Sequence, residues 1–265
     1  MLGAIIGDIV GSRFERTGHK GRDFELFHPR CRFTDDTVMT LAVAKAILVS
    51  RGIVSLVGDN AVRCMRELGR LYPDRGYGSM FARWLSSPEP APYGSRGNGA
   101  AMRVSPCGFA ARGLEEAREL AFEVTRVTHD HPEAIKGAEA VASAVFLARS
   151  GASLEDMRRH VQDNYYPTGF TLDEIREGYS FSSACEDTVP QALQAFFESR
   201  SFEEAVRNAV SLGGDTDTLG AVAGSVAEAF YGIPRALRDQ AMAFLDERLR
   251  GILGEFEAQY PPSIT

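Results

Sequence analysis

The chain has 265 residues, a formal net charge of -7, 44% hydrophobic and 25% charged residues, enough to bury a core in one large domain or two small ones. No Lys/Arg run stands out, which argues against nucleic acid as the main partner, and the longest apolar runs are too broken by Gly, Asp and Lys to span a membrane. Cys31, Cys64, Cys107 and Cys185 stand far apart with no CxxC pair and no signal peptide ahead of them, so reduced thiols in a soluble cytoplasmic protein are expected.

No Ser/Gly/Pro linker or charge block divides the chain, and a single domain over 1–265 is expected. Leu2 to Val10 is rich in small residues that suit a helix packed closely against its neighbours. Asp8 within it is polar in an apolar segment and needs a partner; a structural hydrogen bond to a nearby loop accounts for it better than a direct ligand role. Gly11 to Arg32 has no clear periodicity and reads as a loop carrying Glu15, of a length more often functional than not. Phe33-Thr34-Asp35-Asp36-Thr37 ends that loop and opens a helix, Val38 to Val49, whose apolar and small residues predict burial around most of its circumference.

Ser55 to Leu71 and Leu114 to Thr125 read as amphipathic helices, and Pro132 to Arg149 as a longer Ala-rich one. Further helices are predicted at Ser153 to Val161, Thr188 to Phe197, Phe202 to Val210 and Pro234 to Leu253. Convincing period-two patterns are hard to find, and Pro73, Pro88, Pro90, Pro92, Pro106 and Pro167 fall between helical segments. The predicted fold class is all-α, with catalytic groups on loops and helix starts at one end.

Between these helices, Tyr93 to Arg103 carries glycines at alternate positions, where backbone N–H groups can approach an anion and Ser95 and Asn98 can add side-chain donors. A tight turn explains the same glycines equally well. Thr128-His129-Asp130-His131-Pro132 lacks a third nitrogen ligand nearby, so capping or hydrogen bonding is favoured there over a metal site. Gly213-Gly214-Asp215-Thr216-Asp217-Thr218 then repeats the acidic arrangement before the small apolar run Leu219 to Phe230.

Four carboxylates and two threonine hydroxyls at two buried helix starts form a set of hard oxygen ligands of the kind Mg²⁺, Mn²⁺ or Ca²⁺ takes, and the absence of His and Cys from both stretches argues against zinc. If Thr34 and Asp215 were only N-caps, one such residue per helix would suffice. Asp-x-Asp-x-Thr also occurs in phosphatases of the haloacid-dehalogenase type, but there it ends an apolar strand, whereas here Glu203 to Leu212 is helical in pattern and no βα units follow.

Together, four pieces resemble the ADP-ribosylglycohydrolases related to dinitrogenase-reductase-activating glycohydrolase. They are Gly7-Asp8-Ile9-Val10-Gly11-Ser12 with Glu15 following, Phe33-Thr34-Asp35-Asp36-Thr37, the Gly94 to Arg103 loop, and Gly213-Gly214-Asp215-Thr216-Asp217-Thr218. The resemblance implies an all-α domain with two Mg²⁺ or Mn²⁺ ions held by Thr34, Asp35, Asp36, Asp215, Asp217 and Thr218. It implies that Glu15 is a mobile acid near the metals, and that Gly76, Tyr77, Ser95, Gly97, Asn98, Gly99 and His129 hold ADP-ribose. Arg96 departs from the pattern, standing where related proteins often carry an aromatic.

The implied activity is hydrolysis of the bond between ADP-ribose and an acceptor on a modified protein or small conjugate, with Glu15, Asp35 or Asp36 in catalytic roles. The alternative is a non-catalytic ADP-ribose binder or structural protein with the same fold, which would be marked by lost metal ligands. A monomer is expected, and the acceptor's identity is not written in the sequence.

Overall fold

The computed structural model describes residues 1–261. Its α-helices in chain order are α1 (Leu2–Gly11), α2 (Asp35–Ser50), α3 (Val57–Leu71), α4 (Ser79–Ser86), α5 (Ser105–Ala110), α6 (Leu114–Arg126), α7 (Pro132–Arg149), α8 (Leu154–Asn164), α9 (Leu172–Arg176), α10 (Cys185–Phe197), α11 (Phe202–Val210), α12 (Thr216–Tyr231), α13 (Arg235–Met242) and α14 (Glu247–Gln259). No strand occurs among the described residues, only an isolated antiparallel bridge between Gly97 and Ala184, so the all-α expectation holds. No helix among them is long and apolar enough to cross a membrane.

At the centre, α12 packs against α1, α7, α10 and α11, while α2 lies beside α1 and carries α3, α5 and α14 on its other sides. Every residue of α1 is buried. Burial of Ile5, Ile6 and Ile9 stabilises this centre by about 1.5–3 kcal/mol for each side chain.

Glycine spacing sets how closely α1 and α12 approach. A Cβ on Gly7 would lie 1.9 Å from the Gly220 carbonyl oxygen, and one on Gly3 would lie 2.2 Å from that of Gly224. The two backbones are therefore in direct contact. The Thr216 hydroxyl adds a hydrogen bond of 2.8 Å to the Gly11 carbonyl, which ties the C-terminal end of α1 to the start of α12.

The structure departs from the sequence reading at three places. The helix predicted from Pro234 to Leu253 is two helices, because the Asp246 carboxylate accepts from Leu249 N at 3.0 Å and caps a new start, while also taking the Tyr72 hydroxyl at 2.7 Å. The short helices α4, α5 and α9 were not expected; Pro106, placed between helices by the sequence reading, is instead the second residue of α5, where a missing N–H costs nothing. In addition, α10 begins at Cys185 rather than Thr188 and holds Pro190 in its interior.

Candidate active site

The close α1–α12 contact carries Asp8 and Asp217 to one point, and the start of α2 adds Asp36. One carboxylate oxygen from each of the three lies within 4.8 Å of the others, and all three residues are buried. Asp8 is well bonded. It accepts from Thr34 N at 2.9 Å, Thr34 Oγ1 at 2.7 Å, Thr37 N at 3.1 Å and the Thr37 hydroxyl. The structural hydrogen-bonding role expected for Asp8 is thus what the structure contains, but its partner is a helix start as well as a loop end, and Asp8 also shares the acidic point.

Asp36 is left less satisfied, since its Oδ1 is buried with no hydrogen-bond partner among the described residues. Burial pushes the Asp36 carboxyl well above the usual carboxylate range, and the charges of Asp8, Asp35 and Asp215 push it further. Asp217 is raised in the same way, by burial first and then by Asp215 and Asp36. Asp35 is pushed up to about 8, chiefly by burial and next by Asp8. Asp215 also rises on burial, although hydrogen bonding opposes the shift.

Capping explains only part of this acid set. Thr34 does cap α2, accepting from Asp36 N at 3.3 Å, whereas Asp215 precedes α12 without any side-chain cap bond. Asp215 instead accepts from Asn98 Nδ2 at 2.8 Å. The turn before it needs Gly213 and Gly214, whose φ values of 70° and 74° fall in the left-handed region. Lys20 pins that turn from the Gly11 to Arg32 loop: its ammonium donates to the carbonyls of Arg176, Tyr179 and Leu212 at 2.6, 2.7 and 2.7 Å.

Of these acids, Asp35, Asp36, Asp215 and Asp217 form the floor of a cavity of about 350 Å³, and Asp8 is not among its lining residues. Among the predicted residues, Glu15, Thr34, Asp35, Asp36, Gly76, Ser95, Gly97, Asn98, Gly99, His129, Asp215, Asp217 and Thr218 line it; Tyr77 does not. The Tyr77 hydroxyl is buried without a hydrogen-bond partner among the described residues, and its ring packs on Phe81, 5.6 Å between centroids. Glu15 sits beside Arg16, whose Nε donates to it at 3.0 Å. Arg96 pairs with Glu186 at 2.8 Å and is not among the lining residues.

The glycine loop differs in detail from an open cradle of backbone donors. Gly97 N donates to Ser95 Oγ at 3.0 Å and Asn98 N to the Ser183 carbonyl at 2.7 Å, so both amides are engaged. The Asn98 side chain reaches toward Asp215 and Thr188 rather than adding a donor to the loop. His131 caps α7 by accepting from Glu133 N at 3.1 Å, as its position before Pro132 suggests. Sequence reasoning gave no role to Arg75, Phe81, Arg103 and Phe181 in the wall, although Arg75 adjoins Gly76 and Arg103 closes the glycine loop.

An all-oxygen donor set, crowded carboxylates in a buried floor and an orphaned Asp36 oxygen together fit a hard divalent cation.

Comparison with known proteins agrees with this geometry. The profile of the ADP-ribosylglycohydrolase family matches residues 1–261. ADP-ribosylhydrolase ARH3 of Mus musculus is 26% identical, over 88% of this chain and 83% of its own length. The ADP-ribosyl-dinitrogen reductase glycohydrolase of Rhodospirillum rubrum is also 26% identical, over 88% of this chain and 84% of its own. A solved structure described as an ADP-ribosylglycohydrolase-related protein complex superposes with a TM-score of 0.71 at 27% identity, covering 98% of this chain and 95% of that one.

Proposed function

Because the chain belongs to the ADP-ribosylglycohydrolase family, we propose that it is a divalent-cation-dependent hydrolase that releases ADP-ribose from a modified protein side chain or a small ADP-ribosyl conjugate. The observation that carries the cation dependence is the orphaned, buried Asp36 oxygen within the Asp8, Asp36 and Asp217 cluster. Thr34, Asp35, Asp36, Asp215, Asp217 and Thr218 would hold two Mg²⁺ or Mn²⁺ ions, with Asp8 bracing Thr34 and Thr37 beneath them. When bound, such cations supply positive charge that offsets the carboxylates and polarises substrate oxygens.

The chain's own groups do the rest. On this reading ADP-ribose would lie along the wall from Gly76 to Gly97, Gly99 and His129, all of which line the cavity, with C1 of its distal ribose facing the acids. Asn98 restrains Asp215 through its 2.8 Å hydrogen bond, so that the floor keeps its shape when substrate enters. Glu15 or Asp35 takes a proton from the attacking water as its oxygen bonds to C1, and the acceptor leaves with the electrons of the broken C1 bond and receives that proton from the carboxyl group. Retention of the complete oxygen donor set favours this reading over a non-catalytic ADP-ribose binder.

Incubation with arginine-linked and serine-linked ADP-ribosylated proteins, side by side, tests the proposal. Free ADP-ribose should appear from at least one substrate with Mg²⁺ or Mn²⁺, disappear after chelation, and not return with zinc. Full activity in protein confirmed to be free of metal would sink the cation dependence, and no release from either linkage under any metal would favour the binder.

A further inference from the structure

Arg103 is fully buried in the cavity wall, has no acidic partner among the described residues, and leaves its Nε without a hydrogen-bond acceptor. A guanidinium can only donate, and here one nitrogen donates to the Val124 carbonyl at 3.2 Å and to Thr128 Oγ1 at 2.6 Å. The Thr128 hydroxyl therefore accepts from Arg103 and must place its own single proton elsewhere.

Two acceptors lie at hydrogen-bond geometry, the Thr125 carbonyl at 3.3 Å and His129 Nδ1 at 2.8 Å, while the nearby Tyr93 hydroxyl makes no hydrogen bond among the described residues. The Thr125 carbonyl already accepts two backbone N–H groups, from Thr128 at 3.1 Å and His129 at 2.9 Å, which fill its two lone pairs. The hydroxyl proton is thus directed to His129 Nδ1, and a neutral imidazole that accepts at Nδ1 carries its proton on Nε2. Burial and the Arg103 charge hold the imidazole well below its usual pKa, in keeping with a neutral ring. Nε2 lies against the glycine loop, 3.3 Å from where a Cβ on Gly99 would stand and 3.5 Å from one on Gly97.

We infer that Arg103 is a positioning residue that acts through Thr128 to fix His129 as the Nε2–H tautomer, making it a neutral donor to an acceptor-only group, a phosphoryl oxygen, over Gly97 and Gly99. The identity of that group rests on the proposed ADP-ribose chemistry; the tautomer does not. The arrangement also leaves an uncompensated positive charge behind the loop, which favours an anion in front of it.

Long-range ¹H–¹⁵N correlation spectra of protein labelled with ¹⁵N-histidine report the tautomer directly, with His129 assigned by its loss in His129→Gln. The wild type at neutral pH should show the Nε2–H form, Thr128→Ser should keep it, and Thr128→Val and Arg103→Met should each show a substantial Nδ1–H population. Calorimetry with ADP-ribose should show roughly tenfold weaker binding for Thr128→Val and near-wild-type binding for Thr128→Ser. An Nδ1–H or imidazolium signal in the wild type would overturn the inference, as would an unchanged tautomer in both Thr128→Val and Arg103→Met. If even the wild type does not bind ADP-ribose, the functional reading fails while the spectra still decide the relay; should either buried variant not fold, the wild-type and Thr128→Ser spectra decide it.

Discussion

Asp35, Asp36, Asp215 and Asp217 are each raised above the usual carboxylate range first by burial, and in the cation-free protein this makes folding pH-dependent in a definite direction. Asp35 moves from an ordinary 3.8 to about 8, so the folded state holds its proton more tightly than the unfolded state does. The resulting stabilisation is fully present below the unfolded value and is lost as pH rises through the folded one. Metal-free protein should therefore unfold at lower urea at about pH 8 than at about pH 5, and Asp35→Asn should flatten part of that slope. A midpoint that is level or rises across the interval would contradict the crowding. The same site shows what the sequence made legible at residue scale. Carboxylates beside helix starts were visible because Asp and Thr clustered there beyond what capping needs. The bonds from Asn98 to Asp215 and from Lys20 to three carbonyls were not, since each joins residues far apart in sequence through geometry that no local pattern encodes.

Helices α1 and α12 bring the acids together, and their contact depends on the absence of side chains. Gly7→Ala would drive a Cβ to 1.9 Å from the Gly220 carbonyl oxygen, a backbone atom that cannot move aside alone. We expect destabilisation at or beyond the upper end of the roughly 1–3 kcal/mol that overpacking costs, together with weakened Mg²⁺ binding as Asp8 and Asp217 separate. The control is Gly251→Ala on α14, where nothing among the described residues lies within 4 Å of the added Cβ. There the better helix former should stabilise by about 0.5–1 kcal/mol. Urea unfolding of both variants measures the contrast, and equal small effects would mean that the helices are not held in backbone contact. Small residues at the start of the chain announced close packing but not its partner, because which glycines face each other is settled by the tertiary arrangement.

Across the whole molecule, long periodic helices such as Pro132–Arg149 and Phe202–Val210 were legible to the residue, while the α13–α14 break and the short helices were not. Periodicity records a buried face over several turns, whereas a cap such as Asp246 or a one-turn helix leaves too few residues to show one. The cavity shared by both acidic motifs and the glycine loop follows from packing segments drawn from both ends and the middle of the chain. If this floor binds divalent cations as a unit needed for hydrolysis, activity losses in Asp36→Asn and Asp217→Asn should be non-additive. Melting curves of the wild type and these two variants, with and without Mg²⁺, test whether the acids hold cations together. We predict variants at least as stable as the wild type without metal and a smaller Mg²⁺-induced rise in melting temperature for each. Identical metal-induced shifts in all three proteins would contradict the site.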